Sequence, residues 1–164
     1  MTNEIIHSLM IYYRTYLYRI ANTYVFDWES DFLCVSRSGY INEIEIKISR
    51  SDFKADAKKV EKHLKLQSGT GMIPHRFYYT TPHNLITADE VPEYAGLIYA
   101  PNYTVIKNAP LLHKRDIDLR NTLCDKYYYK WLDAQANLKQ IHRNVEKYRN
   151  SLFSKELLND INSW

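Results

Sequence analysis

The stretch Glu43-Ile44-Glu45-Ile46-Lys47-Ile48-Ser49-Arg50-Ser51-Asp52-Phe53-Lys54-Ala55-Asp56 decides how the chain is read. Its first half alternates: Ile44, Ile46 and Ile48 point one way and Glu43, Glu45 and Lys47 the other, the period of two that marks a β-strand. A strand over residues 41–48 follows, with three charges on one face that is expected to look outward. The second half changes period. Ser49 with an acid at Asp52 fits a helix N-cap, and Phe53, Ala57, Val60 and Leu64 then recur at helical spacing. Lys54, Lys58, Lys59, Lys62 and Lys65 fill the rest of that helix.

Working outward, residues 24–35 are aromatic and β-branched with Asp27, Glu29 and Asp31 interleaved, and residues 36–40 supply a turn containing Gly39. Two antiparallel strands joined there can bring Asp31 alongside Glu45. Before them, Ile5, Leu9, Tyr12, Tyr13, Tyr16, Leu17 and Ile20 recur every three or four residues, which predicts a helix over 3–20. After the lysine-rich helix, residues 67–73 carry Gly69 and Gly71 without periodicity and read as a loop. Strands are expected at 76–81, 95–100 and 103–107, with a short helical turn near Asp89. From Arg115 to about Phe153 neither Gly nor Pro interrupts a long helix, in which Ala134, Leu138, Ile141, Val145, Tyr148 and Leu152 form a heptad-like stripe. Between Arg120 and Arg149 that helix holds seven basic against three acidic residues.

The whole chain has 164 residues, 45% hydrophobic and 25% charged, which suits one folded domain and excludes a disordered, collagenous or disulfide-scaffold protein. No apolar run is long enough for a membrane span, and the N-terminus lacks a signal-peptide pattern, so an intracellular (cytoplasmic) protein is expected. Cys34 and Cys124 stand alone and are expected as buried thiols. The six histidines show no metal-binding spacing, and no nucleotide loop or nucleophile elbow is present. The net charge of +3, from 22 basic and 19 acidic residues, permits a polyanionic partner without requiring one.

The remaining chemistry is acidic. Asp31 and Glu45 could share a hard divalent cation, for which Mg2+ or Mn2+ is suited, since Mg2+ takes one or two carboxylates, keeps waters and coordinates phosphate oxygens. Glu43 is a rival ligand on the same face. Lys47 could orient an attacking water or neutralise transition-state charge, and Ile46 could add its backbone carbonyl to the metal. Spacing alone favours a more ordinary account: a solvent-facing strand with a same-face ion pair, followed by a helix with a solvated lysine face.

The order helix, strand with Asp, turn, strand with E-x-K, helix resembles the PD-(D/E)XK nuclease superfamily, and within it the MmcB-like DNA-repair proteins and related phage or bacterial nuclease-like proteins. The residues carrying the resemblance are Glu29-Ser30-Asp31-Phe32-Leu33, residues 43–56 as quoted, Arg76-Phe77-Tyr78-Tyr79 before Thr81-Pro82, Val91-Pro92, Ala95-Gly96-Leu97-Ile98 and Lys107-Asn108-Ala109-Pro110. It covers about half the chain, residues 27–110.

The resemblance implies an α/β (α+β) fold with a restriction-endonuclease-like αβββαβ core, a mixed sheet flanked by helices, over residues 1–110. A C-terminal helical extension over 111–164 is expected to pack on the same domain. It implies Asp31 and Glu45 as metal ligands, Lys47 as the catalytic lysine, and Asp52 and Asp56 as the acids opening the following helix, Ser49 and Asp52 being equally explained as a cap. Lys54, Lys58 and Lys62 would meet DNA phosphates. The implied activity is a Mg2+- or Mn2+-dependent DNA endonuclease of repair, recombination or phage DNA processing, and a phage-encoded chain is compatible with that expectation. The alternative is a catalytically inactive DNA-binding or assembly protein on the same fold. A homodimer through the C-terminal helix is a further expectation.

Overall fold

In a computed structural model, backbone is described for residues 2–161 and side chains for residues 2–151. The elements run α1 (Thr2–Tyr12), β1 (Tyr18–Tyr24), β2 (Glu29–Val35), β3 (Ile41–Ile46), α2 (Arg50–Asp56), α3 (Val60–Ser68), β4 (Arg76–Pro82), β5 (Ala95–Ala100), β6 (Thr104–Lys107) and α4 (Arg120–Ile161). The strands form one six-stranded mixed sheet in sequence order. Pairing is antiparallel from β1 to β3, parallel from β3 through β5, and antiparallel again between β5 and β6. The parallel step from β3 to β4 requires a crossover, which α2 and α3 provide. The described residues form an α+β fold with four helices, the last one long.

The pleat assigns each face its cover. Phe32, Cys34, Ile44, Ile46, Tyr78 and Ile98 pack against Ile5, Leu9 and Tyr13 of α1 and its following turn. On the opposite face Phe77, Tyr79, Leu97 and Tyr99 pack with Leu66 of α3 and the loop residues Ile73, Ile86 and Val91. A third cluster joins Ile20, Leu33, Val35 and Ile41 to Leu119 and Leu123 at the start of α4.

Three departures from the sequence expectation have physical causes. The first helix stops at Tyr12 rather than residue 20, because residues 18–24 pair with β2, Ile20 opposite Leu33. Ile20 is buried on the sheet and fits either period, so ladder pairing decides its state. The lysine-rich helix is two helices broken at residues 57–59; Phe53 of the apolar stripe packs on Tyr79, but Val60 and Leu64 are about 60% exposed (59% and 60%), while Asp56, Lys62 and Leu66 are buried. The acids of β3 beneath this helix pair draw lysines inward. The long helix starts at Arg120, where the Asp118 carboxylate accepts the Arg120 N–H at 2.9 Å. Residues 108–119 ahead of it form no regular element, with Leu112 N–H donating to His75 O at 2.9 Å.

The expected helix ends match. Ser49 caps α2, its hydroxyl accepting the Asp52 N–H at 3.1 Å, and Gly69 ends α3 in the left-handed conformation (φ 69°). Near Asp89 the chain forms turns without a helix. Of the two thiols, Cys34 is buried but Cys124 is exposed, contrary to expectation.

The chain divides between Leu123 and Cys124 into two compact units. Within the second, Leu138, Ile141, Val145 and Tyr148 of the heptad-like stripe are exposed, and Leu152 lies outside the described side chains. Among the described residues no helix is long and apolar enough to cross a membrane.

Candidate active site

The site forms where β2 and β3 part. Their ladder runs from Val35 opposite Ile41 to Phe32 opposite Ile44. Beyond it, the Asp31 carboxylate takes the place of a strand partner, its Oδ2 accepting the Ile46 N–H at 2.7 Å. A residue's N–H and C=O leave a strand on the same side, so the Ile46 carbonyl is directed to this edge as well. Lys47 N–H turns the other way, to Thr80 O on β4.

Glu43, Glu45 and Lys47 do share one face, as their alternation requires, but that face is not outward. The residues are 0%, 2% and 4% exposed beneath α2 and α3. Burial of charge is tolerable only with partners in place. Glu45 Oε1 accepts from Lys47 Nζ at 2.9 Å and Lys59 Nζ at 2.7 Å, and Oε2 from Lys62 Nζ at 2.7 Å. Glu43 Oε1 accepts from Trp28 Nε1 at 2.7 Å and lies 3.1 Å from Lys62 Nζ. Asp56, on the last turn of α2, lies 2.8 Å from Lys59 and 3.2 Å from Lys47, and accepts the Tyr79 hydroxyl at 2.7 Å. Lys47 is therefore clamped between Glu45 and Asp56, with Asp52 3.8 Å away.

The charges shift one another. Burial, then the Glu45 charge, pushes the Asp31 carboxyl up, and burial pushes Glu43 up against the pull of Lys62. At Glu45 burial also acts upward, but Lys62, Lys47 and the Lys59 hydrogen bond outweigh it and hold the carboxyl below its ordinary range. Asp56 is held far lower still, since hydrogen bonds from His63, Lys59 and Tyr79 overcome its burial. Lys62 is raised because Glu43 and Glu45 outweigh burial.

These directions set a pH response. Asp56 and Glu45, depressed when folded, contribute stability above their unfolded pKa of about 4, and it is lost as pH falls toward their folded values. Asp31 and Glu43, raised, act oppositely, lowering stability as pH rises from about 4 through their folded values. Asp56→Asn should therefore lose less stability than the parent between about pH 5 and pH 2, as denaturant unfolding at each pH would measure. An unchanged acid slope would contradict this.

The structure sorts the expected contacts. Asp31, Glu45 and Lys47 come together, with Glu43 beside them. Lys54 and Lys58 are exposed, as contact with phosphates requires, but Lys62 is 3% exposed and consumed by Glu43 and Glu45, so it cannot face substrate. Lys59 occupies a position the helical stripe did not single out, with its side chain 48% exposed and its ammonium on Glu45 and Asp56. The Asp56-to-Lys59 spacing was its only signal. His63 was also missed: its Nδ1 pairs with the Tyr94 hydroxyl at 2.6 Å and its Nε2 lies 3.4 Å from Asp56 Oδ2. Burial and the Asp56 charge push the Tyr94 hydroxyl up to about 12.

The donor set suits a hard divalent ion at its minimum. Asp31, Glu45 and the Ile46 carbonyl are oxygen donors on one edge, and Mg2+ needs only one or two carboxylates when waters and phosphate complete its shell. Among the described residues no group of three or more His, Cys, Asp or Glu is placed to hold a metal ion. The ammonium of Lys59 on Glu45 Oε1 is the group that would have to yield.

No protein-family model matches the sequence, and no curated protein matches it. Among solved structures, the chain is similar to a protein of unknown function from Silicibacter pomeroyi, with a TM-score of 0.55 and 18% identity over 82% of this chain and 86% of that one. At that identity the likeness concerns the fold alone.

Proposed function

We propose that the chain is a Mg2+- or Mn2+-dependent DNA endonuclease built on a restriction-endonuclease-like core, acting in DNA repair, recombination or phage DNA processing. The observation that carries this reading is the convergence of Asp31, Glu45 and Lys47 on one face where β2 and β3 diverge. The element order α1, β1, β2, β3, α2–α3, β4 supports it, because it reads as αβββαβ once the crossover helices are taken together. Asp31, Glu45 and the Ile46 carbonyl would hold the ion, which when bound supplies an ionised water and charge neutralisation at the phosphodiester. Lys47, fixed by Glu45 and Asp56, would place a positive charge where the transition state becomes more anionic. Asp56 is a positioning residue for that ammonium, and Lys54 and Lys58 would meet flanking phosphates.

The test is incubation with branched, nicked and linear DNA in Mg2+ or Mn2+. Cleavage abolished by EDTA is expected, with Lys47→Ala about 10²–10³-fold slower. Metal-independent cleavage, or cleavage indifferent to Lys47→Ala, would overturn the reading. A second reading, a catalytically inactive DNA-binding or assembly protein on the same core, is favoured by the three ammonium groups that already neutralise Glu45. It requires salt-sensitive DNA binding without metal and no cleavage under any of these conditions.

A further inference from the structure

Three lysines hold Glu45, and they are not equivalent. Lys47 and Lys62 have side chains 5% and 3% exposed, whereas that of Lys59 is 48% exposed. Lys59 also sits in the break between α2 and α3, with a backbone outside the helical region (φ −78°, ψ 61°). Its flexible four-carbon stem can therefore swing without disturbing either helix. Leaving Glu45 does not strand that carboxylate, since Lys47 stays on Oε1 and Lys62 on Oε2.

A destination lies beside it. A cleft of about 380 Å³ opens over this break, lined by Trp28, Lys58, Lys59, Lys62, Lys65 and Asp27 among others. Three of its cations are already paired, Lys59 and Lys62 inside the network and Lys65 with Asp27, and Glu61 adds a carboxylate to the lining. Lys58 and Lys59 are the ones turned to solvent. Lys59 is also the N-cap of α3 and gives that helix end no side-chain hydrogen bond, so a phosphate above the break would meet first-turn N–H groups together with two ammonium groups.

We propose that Lys59 is a tethered counter-ion: its ammonium occupies the cation seat between Glu45 and Asp56 until a DNA phosphate in the adjoining lysine cleft draws it away, opening Glu45 to a divalent ion. The inference rests on the nuclease reading and adds a coupling to it. Metal and DNA each require Lys59 to leave the same carboxylates, so each strengthens the other's binding. In the absence of both, the site is neutralised by the chain's own lysine.

The test is calorimetric titration with Mn2+ alone, free of DNA, on the full chain. Lys59→Met should bind Mn2+ about 10-fold more tightly than the parent, because the competing ammonium is gone, while Lys59→Arg, which keeps the charge, should not. In EDTA, Lys59→Met should also bind duplex DNA with a salt slope lower by about one. Circular dichroism checks that the variant is folded, and Lys59→Gln carries the same expectation should the Met variant fail to fold. Equal or weaker Mn2+ binding by the folded variant would overturn the role of Lys59 and leave the nuclease reading standing. Absence of Mn2+ binding by parent and variant alike would overturn both.

Discussion

Lys62→Met should destabilise the fold by about 3–5 kcal/mol, the range for removing one partner from a buried ion pair. Lys62 is a lysine in name and a core residue in position. Its ammonium lies 2.7 Å from Glu45 Oε2 and 3.1 Å from Glu43 Oε1, and 4.7 Å from the Phe77 ring centre and 5.5 Å from that of Trp28. A methionine fills similar space but supplies no charge, leaving Glu43 with only the Trp28 N–H against the full cost of burial. Glu45 fares better, because Lys47 and Lys59 remain on its other oxygen. Guanidinium unfolding measures the loss. Adding Glu43→Gln to the variant should recover part of it, since the stranded carboxylate is then neutral. A loss below about 1 kcal/mol would mean that the cluster is solvated and that its ion pairs are of the weak surface kind.

Glu45→Gln is the second large effect, and it acts on two properties together. The strand alternation suggested an outward carboxylate that could be neutralised without harm to folding. In fact Glu45 is 2% exposed and gathers three ammonium groups, so the neutral amide leaves Lys47, Lys59 and Lys62 sharing Glu43 and Asp56, with Asp52 3.8 Å from Lys47. A destabilisation of about 3 kcal/mol is expected. On the proposed reading the same substitution removes one of the two carboxylates that would hold a divalent ion, so Mn2+ titration heats should vanish at a temperature where the variant is still folded. The two readouts separate the roles: loss of stability with metal binding retained would make Glu45 a structural residue and leave Glu43 as the ligand on that face.

Much of this arrangement could be read from the sequence because it follows from short-range periodicity. The alternation of residues 43–47 places Glu45 and Lys47 together, Ser49 caps the helix that follows, β4 and β5 lie where their runs end at Pro82 and before Pro101, and β6 lies within the run 103–107. What was not legible depended on partners distant in sequence. Ile20 is at a helical distance from Tyr16 and Leu17, and only its pairing with Leu33 makes it part of a strand. Val60 and Leu64 form a convincing apolar stripe on paper, yet the acids of β3 select the other face of α3 and bring Lys62 in. Periodicity measures how apolar residues recur, and a helix that buries a lysine against two glutamates is invisible to it. The same blindness hid Lys59, whose importance comes from standing in a helix break beside Glu45 and Asp56.

On the proposed reading Asp31 and Glu45 would hold the divalent ion, and the Glu45 arm is now covered by Lys59, which bridges it to Asp56. A crystal soaked in Mn2+ and measured at the manganese absorption edge tests it most directly. The expected result is an anomalous peak between the Asp31 and Glu45 carboxylates, within about 2.0–2.6 Å of their oxygens as hard-cation coordination requires, with the Lys59 ammonium withdrawn from Glu45 Oε1. No peak there at saturating Mn2+, with Lys47, Lys59 and Lys62 all still on Glu45, would contradict it and leave the cluster as a buried ion network that serves the fold alone.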